Sequence, residues 1–226
     1  MTAPDAAELA EGLRRDLGIR LERPILGELQ SGYRPRYNAA PATTHWLLGP
    51  GPTLHWCSWG LPRRDGGRLI NARVESLDET PSFQRGLRDA RRVLIVDGFF
   101  EWGGTPRGPW HFRPELGQLA ALACVGGPEI EGRPTFAVVT GPAIGKVADV
   151  HDRMPVALEG PALRGWLESS IDDAMATLRA ASTPVPGTRE TAVSWSGRRV
   201  DTRVNSPMHD DPECLAEPSQ GELFET

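Results

Sequence analysis

The chain has 226 residues, 39% of them hydrophobic and 24% charged, with a formal net charge of -5 and three cysteines. That length supports one sizeable core or two small ones, and the balance excludes a protein that coats nucleic acid by bulk attraction. No apolar run approaches the ~20 residues of a membrane helix, and Cys57, Cys124 and Cys214 suit neither a disulfide framework nor a zinc pattern.

Residues 4–18 are predicted to form a helix, with Thr2 as its cap, Asp5 three residues on and Pro4 tolerated in the first turn. Leu9, Leu13 and Leu17 recur every four residues beside Ala6 and Ala10, which gives the helix a buried face, and Gly18 stops it. After a loop come strands at 45–49 and 53–60, around the turn Gly49-Pro50-Gly51-Pro52. Residues 61–67 read as a loop and 82–90 as a short helix. Strands are predicted at 92–102, 109–113, 119–125 and 134–140, separated by Gly and Pro. Helices follow at 161–169 and 172–180, and a last strand at 190–195. Many short strands with peripheral helices predict an α+β fold: one domain over 1–216, with a curled, barrel-like antiparallel sheet. The polar, acidic segment from 217 to 226 is expected to be disordered. The start shows no basic segment followed by an apolar run, so the chain is expected to be cytoplasmic. It is further expected to be monomeric, with no metal or other cofactor and no membrane partner.

The charge is uneven. Ten arginines lie between Arg34 and Arg92 against five acids, while six acids and no base lie from Asp210 onward. A basic middle and an acidic tail suit either a local anion site or arginines scattered over solvated faces.

"DGFFEW", residues 97–102, sets a carboxylate among aromatic rings. In a strand, Glu101 shares a face with Phe99 while Phe100 and Trp102 point the other way. A carboxylate in apolar surroundings tends to keep its proton and can serve as a general acid near neutral pH. Three further stretches hold polar groups two apart, on one face if extended: Asn71 and Arg73 in "LINARVES", His151 and Arg153 in "VHDRMPVAL", and Arg36 and Asn38 in "RPRYNAAP". His151 titrates near neutral pH, and paired arginines beside a carboxylate suit a phosphate-bearing substrate. On residue types alone this is an acid–base site near an anion pocket.

In order, "RYNAAP", "WGLP", "INARVES", "PSF", "RRVLIVDGFFEW", "HDRMPVAL" and "RVNSPMHDDPEC" resemble the SOS-response-associated peptidase (SRAP) family of abasic-site processing proteins, from about residue 34 to 216. The resemblance implies binding of single-stranded DNA carrying an abasic site, whose open form is an aldehyde. It further implies covalent crosslinking of that aldehyde through an N-terminal Cys, closing a thiazolidine ring, with linked autoproteolytic, hydrolase- or lyase-like chemistry. By the same resemblance Glu101 moves protons for imine formation and for trimming of the initiator Met. His151 assists ring opening of the sugar and contacts a phosphate, Asn71 orients the reacting N-terminus, and Arg36, Asn38, Arg73 and Arg153 hold DNA phosphates.

Two departures stand out. The family begins Met-Cys-Gly-Arg and a short strand, whereas this chain reads "MTAPDAAELAEGL", starting at the helix. Three readings are open: a start codon upstream with Cys at the missing place, a variant that binds DNA without crosslinking, or reaction through the amine of Thr2. The three cysteines present are read as structural. In the loop after "WGLP", many members carry Trp, and here the loop is "RRDGG". Arg63 and Arg64 can stack on bases or hold phosphate there, and Trp59 is either core or a stacking platform.

Overall fold

The computed structural model describes residues 5–51, 53–188 and 191–218. Its helices are α1 (Ala6–Leu17), α2 (Arg23–Gly32), α3 (Pro81–Asp89), α4 (Gly160–Glu168) and α5 (Ile171–Ala181). Its strands are β1 (Thr44–Leu48), β2 (Leu54–Trp59), β3 (Leu61–Pro62), β4 (Arg68–Leu69), β5 (Asn71–Arg73), β6 (Arg91–Val96) and β7 (Phe99–Gly103). They continue with β8 (Gly108–Pro114), β9 (Ala120–Ile130), β10 (Arg133–Pro142), β11 (Arg153–Pro155), β12 (Ala157–Leu158) and β13 (Trp195–Arg199).

The first helix follows its leucine spacing: Leu9, Leu13 and Leu17 are buried, and Gly18 ends it in the left-handed conformation at φ 67°. Asp5 is the cap, accepting from the N–H groups of Ala7 and Glu8 at 2.8 and 2.9 Å; Thr2 lies outside the described residues. The stretch read as a loop after Gly18 contains α2. Of its ten residues only Leu29 is buried, so no apolar stripe marks it, and Pro24 in the first turn is its one local signal.

Five strands close on themselves. β1 pairs antiparallel with β2 and with β6, β6 with β9, and β9 with β10. The seam between β10 and β2 is parallel, as is the β10–β5 pairing, so the expected antiparallel sheet is mixed. A parallel seam needs a long crossover, and the segment between β2 and β10, with α3 in it, supplies one. Alternate residues of the barrel strands feed two cores. Val93, Ile95, Ala121, Ala123, Ala137 and Val139 pack outward against the helices. Leu47, Cys57, Leu122, Cys124, Phe136 and Val138 pack inward.

The run 92–102 is two strands rather than one. β6 belongs to the barrel and β7 to a second sheet ordered β13-β8-β7. The break falls at Asp97-Gly98. There a Cβ on Gly98 would lie 2.4 Å from Nε2 of His111 and 2.5 Å from the Phe112 carbonyl oxygen, so a larger residue cannot make the turn. The predicted last strand at 190–195 is shifted to β13, which pairs with β8 from Trp195↔Pro114 to Arg199↔Trp110. The predicted loop at 61–67 gives up Leu61–Pro62 to β3, and residues 63–67 form the turn to β4.

Helix α3 is seated on β9 through a close approach: a Cβ on Gly86 would lie 2.0 Å from the Gly126 carbonyl oxygen. Backbone cannot yield as a side chain can, so Gly86→Ala is expected to destabilise the fold by about 1–3 kcal/mol. A lowered urea midpoint with unchanged m-value checks this.

Candidate functional site

A cleft of about 490 Å³ opens between the barrel, strand β7, residues 36–41 and the C-terminal segment. Its lining includes Asn71, Asp97, Glu101, Trp102, Thr140 and Asn205. In the sheet β13-β8-β7 the outer strand β7 has a sheet partner on one side only, and its residues Phe99 to Trp102 all line the cleft.

Alternation along β7 sorts the aromatic residues as the pattern predicts. Phe99 stacks on Phe112 at 5.4 Å and meets Trp195 edge-on at 4.8 Å. Phe100 and Trp102 take the other face, against Val200, Val204 and Cys214. Glu101, with a side chain 21% exposed, stays between the aromatic layers and the cleft. Burial pushes its carboxyl pKa up, with the nearby Asp152 adding to the effect and His151 opposing it.

His151 does not itself line that space but reaches the site from the turn before β11, its Nδ1 3.7 Å from Oε2 of Glu101. The approach depends on Gly103, where a Cβ would sit 1.9 Å from the Val150 carbonyl oxygen. The backbone N–H of Arg153 donates to Nδ1 at 3.0 Å, which leaves the neutral ring's proton on Nε2. When the ring is charged, Nδ1 is protonated and faces the Arg153 carbonyl at 3.1 Å and the Glu101 carboxylate. Asn71 opens β5, opposite Val138, and is exposed in the same cleft as Glu101. The amide, the carboxylate and the imidazole are thus brought together.

The residues read as phosphate ligands divide. Arg36 lines the cleft and pairs with Asp210. Arg153 lies beside the site, gripped by both oxygens of Glu75 at 2.5 and 2.9 Å, and donates to the Thr140 carbonyl at 2.7 Å. Arg73 is exposed, opposite Thr140 across the β5–β10 pairing. The buried Asn38 spends its side-chain amide on the carbonyls of Val204, Ser206 and His209 at 3.0–3.1 Å, and so clamps the C-terminal wall of the cleft. Trp59 lines the cleft with its indole N–H on the Ile70 carbonyl at 2.8 Å and its ring stacked on Phe136. Arg63 and Arg64 are exposed in the β3–β4 hairpin, outside the cleft lining, with Arg63 on Asp65 at 2.8 Å.

Residue-by-residue reading missed His111, Asp97 and the wall Val204–Leu215. His111 lines the cleft, tilted against Phe100 at 5.0 Å, and burial pushes its imidazole down to about 4. Its only local signal was one polar side chain in an apolar strand. All three cysteines are buried, and burial pushes Cys57 up to about 11 and Cys124 higher still. No cysteine stands among the described residues lining the cleft. Among the described residues no three His, Cys, Asp or Glu side chains are grouped to hold a metal ion. No helix of the described residues is long and apolar enough to cross a membrane.

A profile of the family described as SOS response associated peptidase (SRAP) matches residues 5–207. The abasic site processing protein YedK of Escherichia coli is 34% identical over 202 residues, covering 84% of this chain and 84% of its own. The abasic site processing protein YoqW of Bacillus subtilis is 30% identical over 199 residues, covering 81% and 86%. Among solved structures, a Bacteroides thetaiotaomicron protein shares the fold with a TM-score of 0.71 at 17% identity, covering 96% of this chain and 98% of its own. A phage-related protein from Bordetella bronchiseptica has a TM-score of 0.64 at 25% identity, covering 88% and 91%.

The raised carboxyl pKa of Glu101 makes a stability statement. The folded state holds this proton more tightly than the unfolded chain, so stability falls as pH rises from the unfolded pKa through the folded one. Glu101→Gln removes that decline. The variant is expected to match the parent in urea unfolding at pH 4 or below and to exceed it at pH 8.

Proposed function

The chain belongs to the SOS response associated peptidase family, and we propose that its cleft processes abasic sites in single-stranded DNA. One observation carries the reading: a carboxyl whose pKa burial pushes up stands 3.7 Å from an imidazole, in a cleft that also holds the Asn71 amide. The open form of an abasic site is an aldehyde. An amine adding to it gives a carbinolamine, which must lose water to become an imine, and that step needs an acid at the leaving hydroxyl. Glu101 donates this proton and, as the carboxylate, takes one back when the imine is attacked. His151 carries its proton on Nε2 and returns one through Nδ1, which suits ring opening of the sugar beside Glu101. Asn71 orients the incoming amine. The same acid–base pair serves autoproteolytic trimming of an initiator Met.

Phosphates meet the arginines at the rim. Arg73 is exposed and meets a phosphate directly, whereas Arg36 and Arg153 share one with Asp210 and Glu75. The apolar and aromatic faces of Trp59, Phe100 and Trp102 give bases a surface to stack on. All three cysteines are buried and the chain as given begins Met1-Thr2, so the thiazolidine that the family resemblance implies requires a Cys from a start upstream. That same burial favours a second reading, in which the chain as given binds abasic DNA without a covalent bond.

The two readings separate on gels. Mixed with abasic single-stranded DNA, the protein extended upstream to an N-terminal Cys is expected to give a band that survives denaturation; a shift on the native gel alone favours the second reading. Glu101→Ala is expected to slow the covalent step about 100-fold or more while native binding stays within about twofold. Equal loss of both removes the acid–base role. Binding is expected to weaken with salt, and Arg73→Ala to lower the slope of log K against log salt by about 0.7, one phosphate's worth. A salt-insensitive complex contradicts the phosphate contacts.

A further inference from the structure

Strand β10 has β5 on one side and β11 on the other, and the three meet at Thr140, which is opposite Arg73 of β5 and Pro155 of β11. Asn71 stands on β5, and His151 lies two residues before β11. The two polar groups therefore come from short strands flanking one central strand, each with few ladder bonds of its own. A contact across β10 ties them: Glu75, just past β5, gives both carboxylate oxygens to Nη1 and Nη2 of Arg153, the first residue of β11.

We propose that Glu75 is a positioning residue, and that its two-pronged grip on Arg153 holds the His151 ring in the tautomer and place that the site uses. The Arg153 side chain is only 20% exposed, and its Nε–H is sealed from solvent with no partner among the described residues. Its charge therefore rests on the Glu75 carboxylate and the Thr140 carbonyl. A buried cation that loses its carboxylate must move toward water. The guanidinium and this backbone N–H belong to one residue, so drawing the side chain outward pulls on the group that donates to Nδ1 of His151. Releasing the guanidinium loosens that N–H, and the ring then loses the bond that favours a proton on Nε2, while the Arg153 carbonyl at 3.1 Å and Asp152 Oδ1 at 3.4 Å favour one on Nδ1. Glu75 thus acts on His151 through residue 153, without touching the ring.

The inference rests on reading His151 as part of the site, but its test reads the ring's proton rather than DNA chemistry, so the two fail separately. Long-range 1H–15N NMR of the full chain at pH 7.5 reports the His151 tautomer. The parent is expected to hold its proton on Nε2 by roughly 10:1, the scale of one hydrogen bond, and Glu75→Gln to bring the ratio to near 1:1. An unchanged ratio in Glu75→Gln overturns the proposal, whatever DNA affinity does. If in addition that variant binds abasic single-stranded DNA several-fold more tightly, Glu75 only competes with phosphate for Arg153. If Glu75→Gln does not fold, the charge-swapped pair Glu75→Arg with Arg153→Glu takes its place. A ratio like the parent's supports the latch, and an averaged one overturns it.

Discussion

The site depends on strand β7 leaving the barrel and being held at both ends by backbone contacts that only glycine permits. At Gly98 the chain turns past the Phe112 carbonyl, and at Gly103 it lies against the Val150 carbonyl. Between these points the strand runs at the outer edge of its sheet, so Glu101 is carried along a cleft rather than into a core. The second contact also fixes the turn that carries His151. Carboxylate and imidazole are therefore placed by one short piece of backbone, with aromatic layers on either side keeping water sparse. The proposed role of Glu101 as a general acid needs this compromise: enough burial to raise its pKa, and enough opening to meet a substrate.

Around that centre several arginines are already matched with carboxylates. Arg36 is matched with Asp210, Arg153 with Glu75 and Arg203 with Asp211. Partly buried at the rim, the first two pairs join segments 174 and 78 residues apart and set where charge can be offered. Asp210 also accepts from the N–H groups of Tyr37 and Asn38 at 2.6 and 2.9 Å. Together with the Asn38 side chain, it staples the C-terminal segment to residues 36–38, and that segment forms a wall of the cleft. Residue types that suggest phosphate binding in the sequence thus partly serve to assemble the site. Under the proposed function, a phosphate reaching Arg36 or Arg153 competes with a carboxylate already in place.

Much of this was legible beforehand, for local reasons. The leucine spacing of α1 reports a buried helix face because helical neighbours lie three and four apart. The alternation in "FFEW" sorts Phe99 from Phe100 and Trp102 because strand neighbours alternate faces. Helix α2 was illegible because one buried leucine makes no period. The run 92–102 read as one strand because its apolar pattern continues through Asp97-Gly98, where the chain in fact changes sheets. The shift of the last strand to Trp195–Arg199 has the same origin: its pairing with β8 outweighs the apolar character of the residues before it.

The amino-acid sequence by itself determined four of the five described helices and most strands, the α+β class, the family, and the face on which Glu101 lies. The elements, the class and the face follow from residue types at short fixed spacings, and the family from the resemblance of whole motifs in order. Only the tertiary structure decided that Arg153 belongs to Glu75, 78 residues away, and Arg36 to Asp210, 174 away. It alone turned Asn38 inward as a clamp and set β7 at a sheet edge. Such pairings depend on which strands become neighbours across the barrel, and a carboxylate's attraction for a guanidinium does not say which of many it will meet. Chain topology makes that choice, through the close contacts at Gly98 and Gly103 and the shared neighbour β10.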